Sequence, residues 1–326
     1  MGIVYDLIPR TAAKALEEFS EQFKSALVLA TVEEWAVGLG ASATSTAIQT
    51  TYPLSIYAAG YKEWKGEHKY RDLYMRSLRM KPRDWQDGVK QKARIVEAHD
   101  FMGWSAQPAA MAIEAKRLAN KLVASVLEAN PLLDIYRDDD TGTASAIALF
   151  ASNHPYNVFD SSFGTFDNDI TATAIDKAMM VAAKQHFRSL KAANGESMGL
   201  RMTHLLVPAA REEEAKDFLD NDLLVETILN GSTPVGGVTR QNRHKGTVTL
   251  VVSDELTDDD TVYALALDKP DLPPWIVQTS GAPEEIIHDR DSHMYKTSGE
   301  VAISYTLSAN AAAAFPHPIL KISGLS

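Results

Sequence analysis

Residues 62–94 constrain this chain more than any other stretch. Eleven basic residues against five acidic ones give the segment a charge of +6, whereas the whole chain of 326 residues carries −11, so −17 falls on the remainder. Apolar and polar positions alternate within it. Tyr74, Leu78 and Met80 share one face while Ser77, Arg79 and Lys81 share the other. Pro82, Asp84 and Gly88 then supply turn chemistry, after which Val89, Ala93 and Ile95 alternate with Lys90, Lys92 and Arg94. The pattern predicts a long two-stranded ribbon. A lone ribbon is marginally stable in water, and this one has few apolar residues with which to dock on its own domain, so its partner is expected to be another chain. Trp64, Tyr70, Tyr74 and Trp85 are interleaved as stacking groups for nucleic acid would be, but the acidic remainder repels a polyanion. The segregated charge fits an arm of one copy lying on the body of the next.

A chain of this length buries about three quarters of its unfolded surface and needs neither metal nor disulfide to make a core. It contains no cysteine, which excludes disulfide frameworks, thiolate zinc sites, iron–sulfur clusters and cysteine nucleophiles. The N-terminus lacks the pattern of a secretory signal, and no apolar run approaches the roughly 18 to 20 residues that span a bilayer, so a soluble protein without a membrane partner is expected.

Leu16, Phe19, Phe23 and Leu27 recur at helical spacing in residues 11–27 and predict a short amphipathic helix. Residues 38–51 are Gly, Ala, Ser and Thr with little period, the composition of an extended arm. Ser105 and Pro108 start a long helix whose apolar stripe is Met111, Ala115, Leu118, Leu122 and Val126, ending at Asn130-Pro131. Further helices are expected over 174–193 and 210–219, and strands over 204–207, 247–252, 262–267, 275–278 and 301–307. This mixed order without a βα rhythm predicts an α+β fold.

Three motifs suggest chemistry. Gly195-Glu196-Ser197-Met198-Gly199 has the letters of a nucleophile elbow, but an elbow runs from strand into helix and here a helix precedes and a strand follows. Gly38-Leu39-Gly40-Ala41-Ser42-Ala43 has the spacing of a dinucleotide loop without a βαβ unit around it, so no cofactor is expected. His288 to His293 and the Asp138 to Asp140 and Asp258 to Asp260 triplets lack the spacing of metal sites. No catalytic residue and no metal ligand is assigned. His154 is read as structural.

Short stretches then carry a family resemblance: Tyr52-Pro53; Tyr61-Lys62-Glu63-Trp64-Lys65-Gly66; Leu149-Phe150 followed by Asn153-His154-Pro155; and Phe187 to Gly195 leading through Gly199 to Leu205-Leu206-Val207-Pro208. In this order they make the chain resemble the major capsid protein of tailed bacteriophages, and among those the Mu-like phage and prophage major head subunit. The resemblance implies an N-terminal arm (1–60), an extended E-loop hairpin (61–97), a P domain with a spine helix (98–139), an A domain (140–275) and a return to the P domain (276–326). It departs most over 230–260.

The expected function is structural: self-assembly into hexamers and pentamers of an icosahedral head that encloses double-stranded DNA without reading its sequence. Portal, scaffold or decoration proteins are possible further partners, and the virion, assembled in the host cytoplasm, is the implied location. The E-loop residues expected to reach a neighbour are Lys62, Lys65, Lys69, Arg71, Arg76, Arg79, Lys90, Lys92 and Arg94. Leu16, Phe19 and Phe23 are expected to pack the N-arm on a neighbour or on the inner surface of the shell. Two alternatives remain at this point, an encapsulin-like compartment on the same fold and an α/β hydrolase using Ser197.

Overall fold

The computed structural model describes residues 11–55, 75–97, 106–138, 145–230 and 233–326, together with 66, 104, 141 and 143. The helices are α1 (Ala12–Leu29), α2 (Trp35–Leu39), α3 (Ala93–Glu97), α4 (Gln107–Ala129), α5 (Lys177–Ser189), α6 (Glu212–Asp220) and α7 (His293–Ser298). The strands begin with β1 (Ala41–Thr44), β2 (Thr50–Ser55), β3 (Met75–Met80), β4 (Arg83–Lys92), β5 (His154–Pro155), β6 (Thr165–Phe166), β7 (Asp169–Thr171) and β8 (His204–Pro208). They continue with β9 (Leu223–Asn230), β10 (Thr233–Gln241), β11 (Thr249–Ser253), β12 (Val262–Leu265), β13 (Trp275–Thr279), β14 (Glu284–His288), β15 (Glu300–Ala313) and β16 (Ile319–Ser323).

The fold contains two five-stranded sheets, and α4 packs on the first of them. In the first, the 14-residue β15 pairs with β13 and β14 along one side and with β4 along the other, and β1 adds to β13 in parallel. The second has the order β11-β8-β12-β16-β7. Leu205, Leu206 and Val207 of β8 and all four residues of β12 are buried. Continuous apolar runs of this kind belong to strands covered on both faces. α5 contributes Met179, Met180, Ala183 and Phe187 to the same core.

α4 joins two hydrophobic cores because its sequence is apolar on more than one side. Leu122, Val123, Ala124 and Leu127 enter the main core, whereas Met111 and Ala112 enter a second core with α1. Pro108 lies in its first turn, and Asn130 ends it in the left-handed region at φ 46°. The Asn130 side chain accepts the Phe150 N–H (2.7 Å) and donates to the Phe150 carbonyl (3.1 Å), so the helix stop also anchors the chain that follows. Arg117 donates to Glu255 (2.8 Å), and Glu128 accepts the Thr257 N–H, tying α4 to the turn after β11.

The stretch 38–51 is ordered on the body rather than extended over it. α2 is held by Asn120, which accepts the Ala36 N–H (3.1 Å) and donates to the Glu33 carbonyl (2.8 Å). Trp275 donates its indole N–H to the Ala36 carbonyl (2.7 Å), and a Cβ on Gly40 would lie 2.2 Å from that indole nitrogen. Gly40 therefore makes room for Trp275, not for a pyrophosphate.

The ribbon is the main correction. β3 and β4, read as its two arms, do not pair with each other: β3 pairs with β2 and β4 pairs with β15 over ten residues. Only Lys81 and Pro82 separate them. Gly88 is not a turn residue but sits mid-strand opposite Ser304, where an added Cβ would lie 2.5 Å from the Ser304 Cβ. Ile95 lies on α3 rather than on a strand. At the C-terminal end, β16 pairs with β12 and β7 in the second sheet.

Candidate assembly surfaces

β2 and β3 pair antiparallel into a hairpin of their own, with residues 56–74 between the two strands in sequence. Lys62, Lys65, Lys69 and Arg71 lie outside the described residues. Of the +6 on residues 62–94, residues 76–83 alone carry +4 through Arg76, Arg79, Lys81 and Arg83, so the charge is concentrated at the root of the arm.

That root is held by the chain itself. Arg76, with a side chain 10% exposed, lies 3.9 Å from Asp138 and 4.5 Å above the Phe159 ring. The Arg79 N–H donates to Asp134 Oδ2 (3.2 Å), Asn310 donates to the Lys81 carbonyl (2.8 Å), and the Tyr52 hydroxyl donates to Gln278 (2.9 Å). Asp134 thus covers a donor on the edge of β3 with a carboxylate, one way a sheet edge avoids unwanted pairing. Within the chain, Arg76 is thus engaged by Asp138 and Phe159. Asp134, Asp138 and Phe159 were invisible in the sequence as partners because nothing in their spacing links them to residue 76.

Lys90 and Lys92 lie on β4 and Arg94 on α3. Lys90 faces Glu300 at 3.4 Å, and Lys92 and Arg94 are exposed. Leu16, Phe19 and Phe23, on α1, belong to the second core. They are 1–2% exposed and covered by their own chain: Phe19 packs on Trp104 with ring centres 5.0 Å apart, and Phe23 stacks on Tyr305 at 3.6 Å.

Between α4 and the β4–β15 face runs a groove of about 800 Å³. Leu118, Leu122 and Val126 form one wall, with Trp85, Leu307 and Ala311 on the other. Glu114, Asp87 and Asp134 alternate with Arg79, Arg83 and Lys121 around it. Leu132, 59% exposed, lies at the end of the groove where α4 stops.

The remaining candidates are structural. The Ser197 hydroxyl accepts the Gly199 N–H (3.2 Å) within a turn that also bonds Ala192 to Glu196, and among the described residues no histidine hydrogen-bonds it. His154 is fully buried, bonded to Asn168 (2.9 Å) and Tyr136 (3.1 Å), with burial pushing its pKa down to about 4. Asp258 braces its own turn through Thr261 (2.8 Å), and Ser292 caps α7 ahead of His293. Among the described residues no cluster of three or more His, Asp or Glu is placed to hold a metal, and no helix is long and apolar enough to cross a membrane.

A long helix packed on one five-stranded sheet, a second five-stranded sheet and the β2–β3 hairpin make up a fold shared with tailed-phage capsid subunits. It is similar to the procapsid of bacteriophage JBD30 (TM-score 0.52, 15% identity, 95% of this chain and 74% of that one). It is similar also to the capsid of Ralstonia phage GP4 (TM-score 0.54, 8% identity, 86% and 85%) and to the mature capsid of bacteriophage PhiM1 (TM-score 0.52, 9% identity, 90% and 88%). No curated protein matches it in sequence. The family model for phage capsid protein matches residues 94–314, and the chain belongs to that family. Its role is that of a structural subunit of the virion capsid, not of an enzyme.

Proposed function

We propose that this chain is the major head subunit of a tailed phage or prophage, assembling with copies of itself into hexamers and pentamers of a closed icosahedral shell around double-stranded DNA. The observation that carries this reading is the family match over residues 94–314, together with a fold shared across nearly the whole chain with capsid and procapsid subunits. The net charge of −11 suits a container that holds DNA without binding its bases.

The arm makes the contact between copies. Residues 56–74 of one copy, with Lys62, Lys65, Lys69 and Arg71, lie on the surface of the next, while Arg76 and its partners fix the direction in which the arm leaves. Single exposed ion pairs contribute about 0–1 kcal/mol, so the arm acts through main-chain and apolar contacts as well, and repetition around the shell makes a weak contact sufficient.

Electron microscopy of the purified protein tests the shell: uniform closed particles are expected, and small monomers under every assembly condition would overturn the reading. For the arm, changing Lys62, Lys65, Lys69 and Arg71 to Glu should abolish particles without altering unfolding of the free subunit. Unchanged particle yield and salt tolerance would remove the arm from the interface.

A further inference from the structure

Residues 177–195 contain Lys177, Lys184, Arg188 and Lys191 and no acid, and residues 240–248 contain Arg240, Arg243 and Lys245 and no acid. In a chain of net charge −11 these are two further concentrations of positive charge besides 62–94. The fold brings them together. Lys184 of α5 donates to Thr247 Oγ1 (2.8 Å) and to His244 Nδ1 (3.2 Å) in the connection from β10 to β11.

α5 sorts its side chains by helical period. Met179, Met180, Ala183 and Phe187 are buried in the main core, whereas Lys177, Lys184 and Arg188, at spacings of seven and four, share one stripe beside it. At about 1.5 Å per residue the stripe is about 16 Å long. Lys177, Arg188 and Arg243 are exposed, and Lys184 is partly buried.

The stripe lacks counter-charge. Among the described residues Lys184, Arg188 and Arg243 form no ion pair, whereas Lys245 in the same connection is bonded to Asp222 (2.7 Å). Like charges four apart on a helix repel one another, as Lys184 and Arg188 do. Burial holds the Lys184 ammonium below its ordinary pKa, and burial with the charges of Lys184 and Lys177 does the same at His244. Because Nδ1 of His244 accepts from an ammonium, the ring proton is on Nε2. That proton and the third one of Lys184 remain as donors. An anion seated here relieves the repulsion and takes up the donors.

A duplex carries one negative charge per about 1.7 Å of its axis, so a row of cations of this length meets phosphate at any register. An acidic peptide would have to match the spacing residue by residue. We propose that the α5 stripe and the connection at 243–247 hold the phosphate backbone of nucleic acid, with Lys184, Arg188 and Arg243 as contacts that carry no sequence information. The proposal rests on the shell reading above and turns this face of the subunit toward the enclosed DNA.

The test is binding of a fluorescent duplex of about 30 base pairs by the free subunit, followed from about 50 to 200 mM salt. Lys184→Gln, Arg188→Gln and Arg243→Gln should each lower the steepness of log K against log salt by about 0.9, the loss of one phosphate contact. Lys92→Gln, on the first sheet, should leave it unchanged. No binding by the unaltered chain, or an unchanged slope in the exposed-site variants Arg188→Gln and Arg243→Gln, would overturn the proposal. Equal competition by polyglutamate would overturn it in favour of an acidic protein partner, and thermal stabilisation by inorganic phosphate without duplex binding would do so in favour of a small anion. Arg188→Gln combined with Arg243→Gln should still give particles at normal yield; their loss would place the stripe between copies and overturn the proposal too. Failure of the unaltered chain to form particles would count against the shell reading instead.

Discussion

The guanidinium of Arg76 lies 4.5 Å above the centre of the Phe159 ring, with Asp138 3.9 Å to one side. The contact joins the first turn-out of the arm to a loop more than eighty residues further along the chain. A cation over an aromatic ring contributes about 0.5–1 kcal/mol when exposed and about 2 kcal/mol when desolvated, and Arg76 is near the second case. A double-mutant cycle of Arg76→Ala and Phe159→Ala, read by urea unfolding of the free subunit, should give a coupling of about 1 kcal/mol. Additive single effects would show that the two side chains do not interact.

Gly88 and Ser304 pinch β4 against β15. Gly88→Ala places a methyl 2.5 Å from the Ser304 Cβ, and such overpacking costs about 1–3 kcal/mol. Ser304→Gly in the same chain removes the obstructing atom, so the double variant should recover most of the loss in a thermal melt. No recovery would mean that the strain has another source.

Phe23→Ala tests whether α1 belongs to its own subunit. Phe23 is 2% exposed and stacked on Tyr305, so its removal should destabilise the free subunit by about 3–5 kcal/mol. An unchanged free subunit with defective particles would return Phe23 to the interface between copies.

Acid should weaken the fold through three neutral histidines. Burial pushes His154 and His186 down to about 4, and burial with the other two histidines nearby pushes His317 down to about 3. Asp167 opposes the shift at His154 and His186, and Phe166 separates the rings of His154 and His317. Unfolded chains take up these protons near pH 6.5 and the folded subunit does not, so stability is complete above that pH and falls between 6.5 and about 4. With all three groups contributing, the slope reaches up to ~4 kcal/mol per pH unit. Urea unfolding of the free subunit at pH 7, 6 and 5 should show the loss, and His317→Phe should reduce its slope by about a third. A flat profile would mean that the folded chain takes up these protons as readily as the unfolded one.

Where local pattern decides structure, the sequence was legible. The stripe from Met111 to Val126 and the Asn130-Pro131 stop mark out α4 to within two residues, and the apolar run at 204–207 is β8. The order of short motifs led to the capsid fold. The root of the arm was not legible, because Arg76, Asp138 and Phe159 are distant in sequence and none belongs to a recognisable motif. Gly88 was misread for a related reason: a glycine that makes a turn and one that admits a neighbouring strand look the same.

By itself, then, the sequence determined the long helix α4 and the buried strand β8, that no thiol chemistry is available, and that positive charge gathers between residues 62 and 94. Only the tertiary structure decided which strands meet. Alternation tells a strand which side chains share a face but not which backbone lies beside it, because ladder hydrogen bonds are made by groups common to every residue. β4 is matched to β15, more than two hundred residues away, by the close approach at Gly88 and by the shared packing of Val89, Val301 and Ile303 beneath α1 and α4. That choice puts Lys90 and Lys92 in the first sheet and leaves β3 to pair with β2.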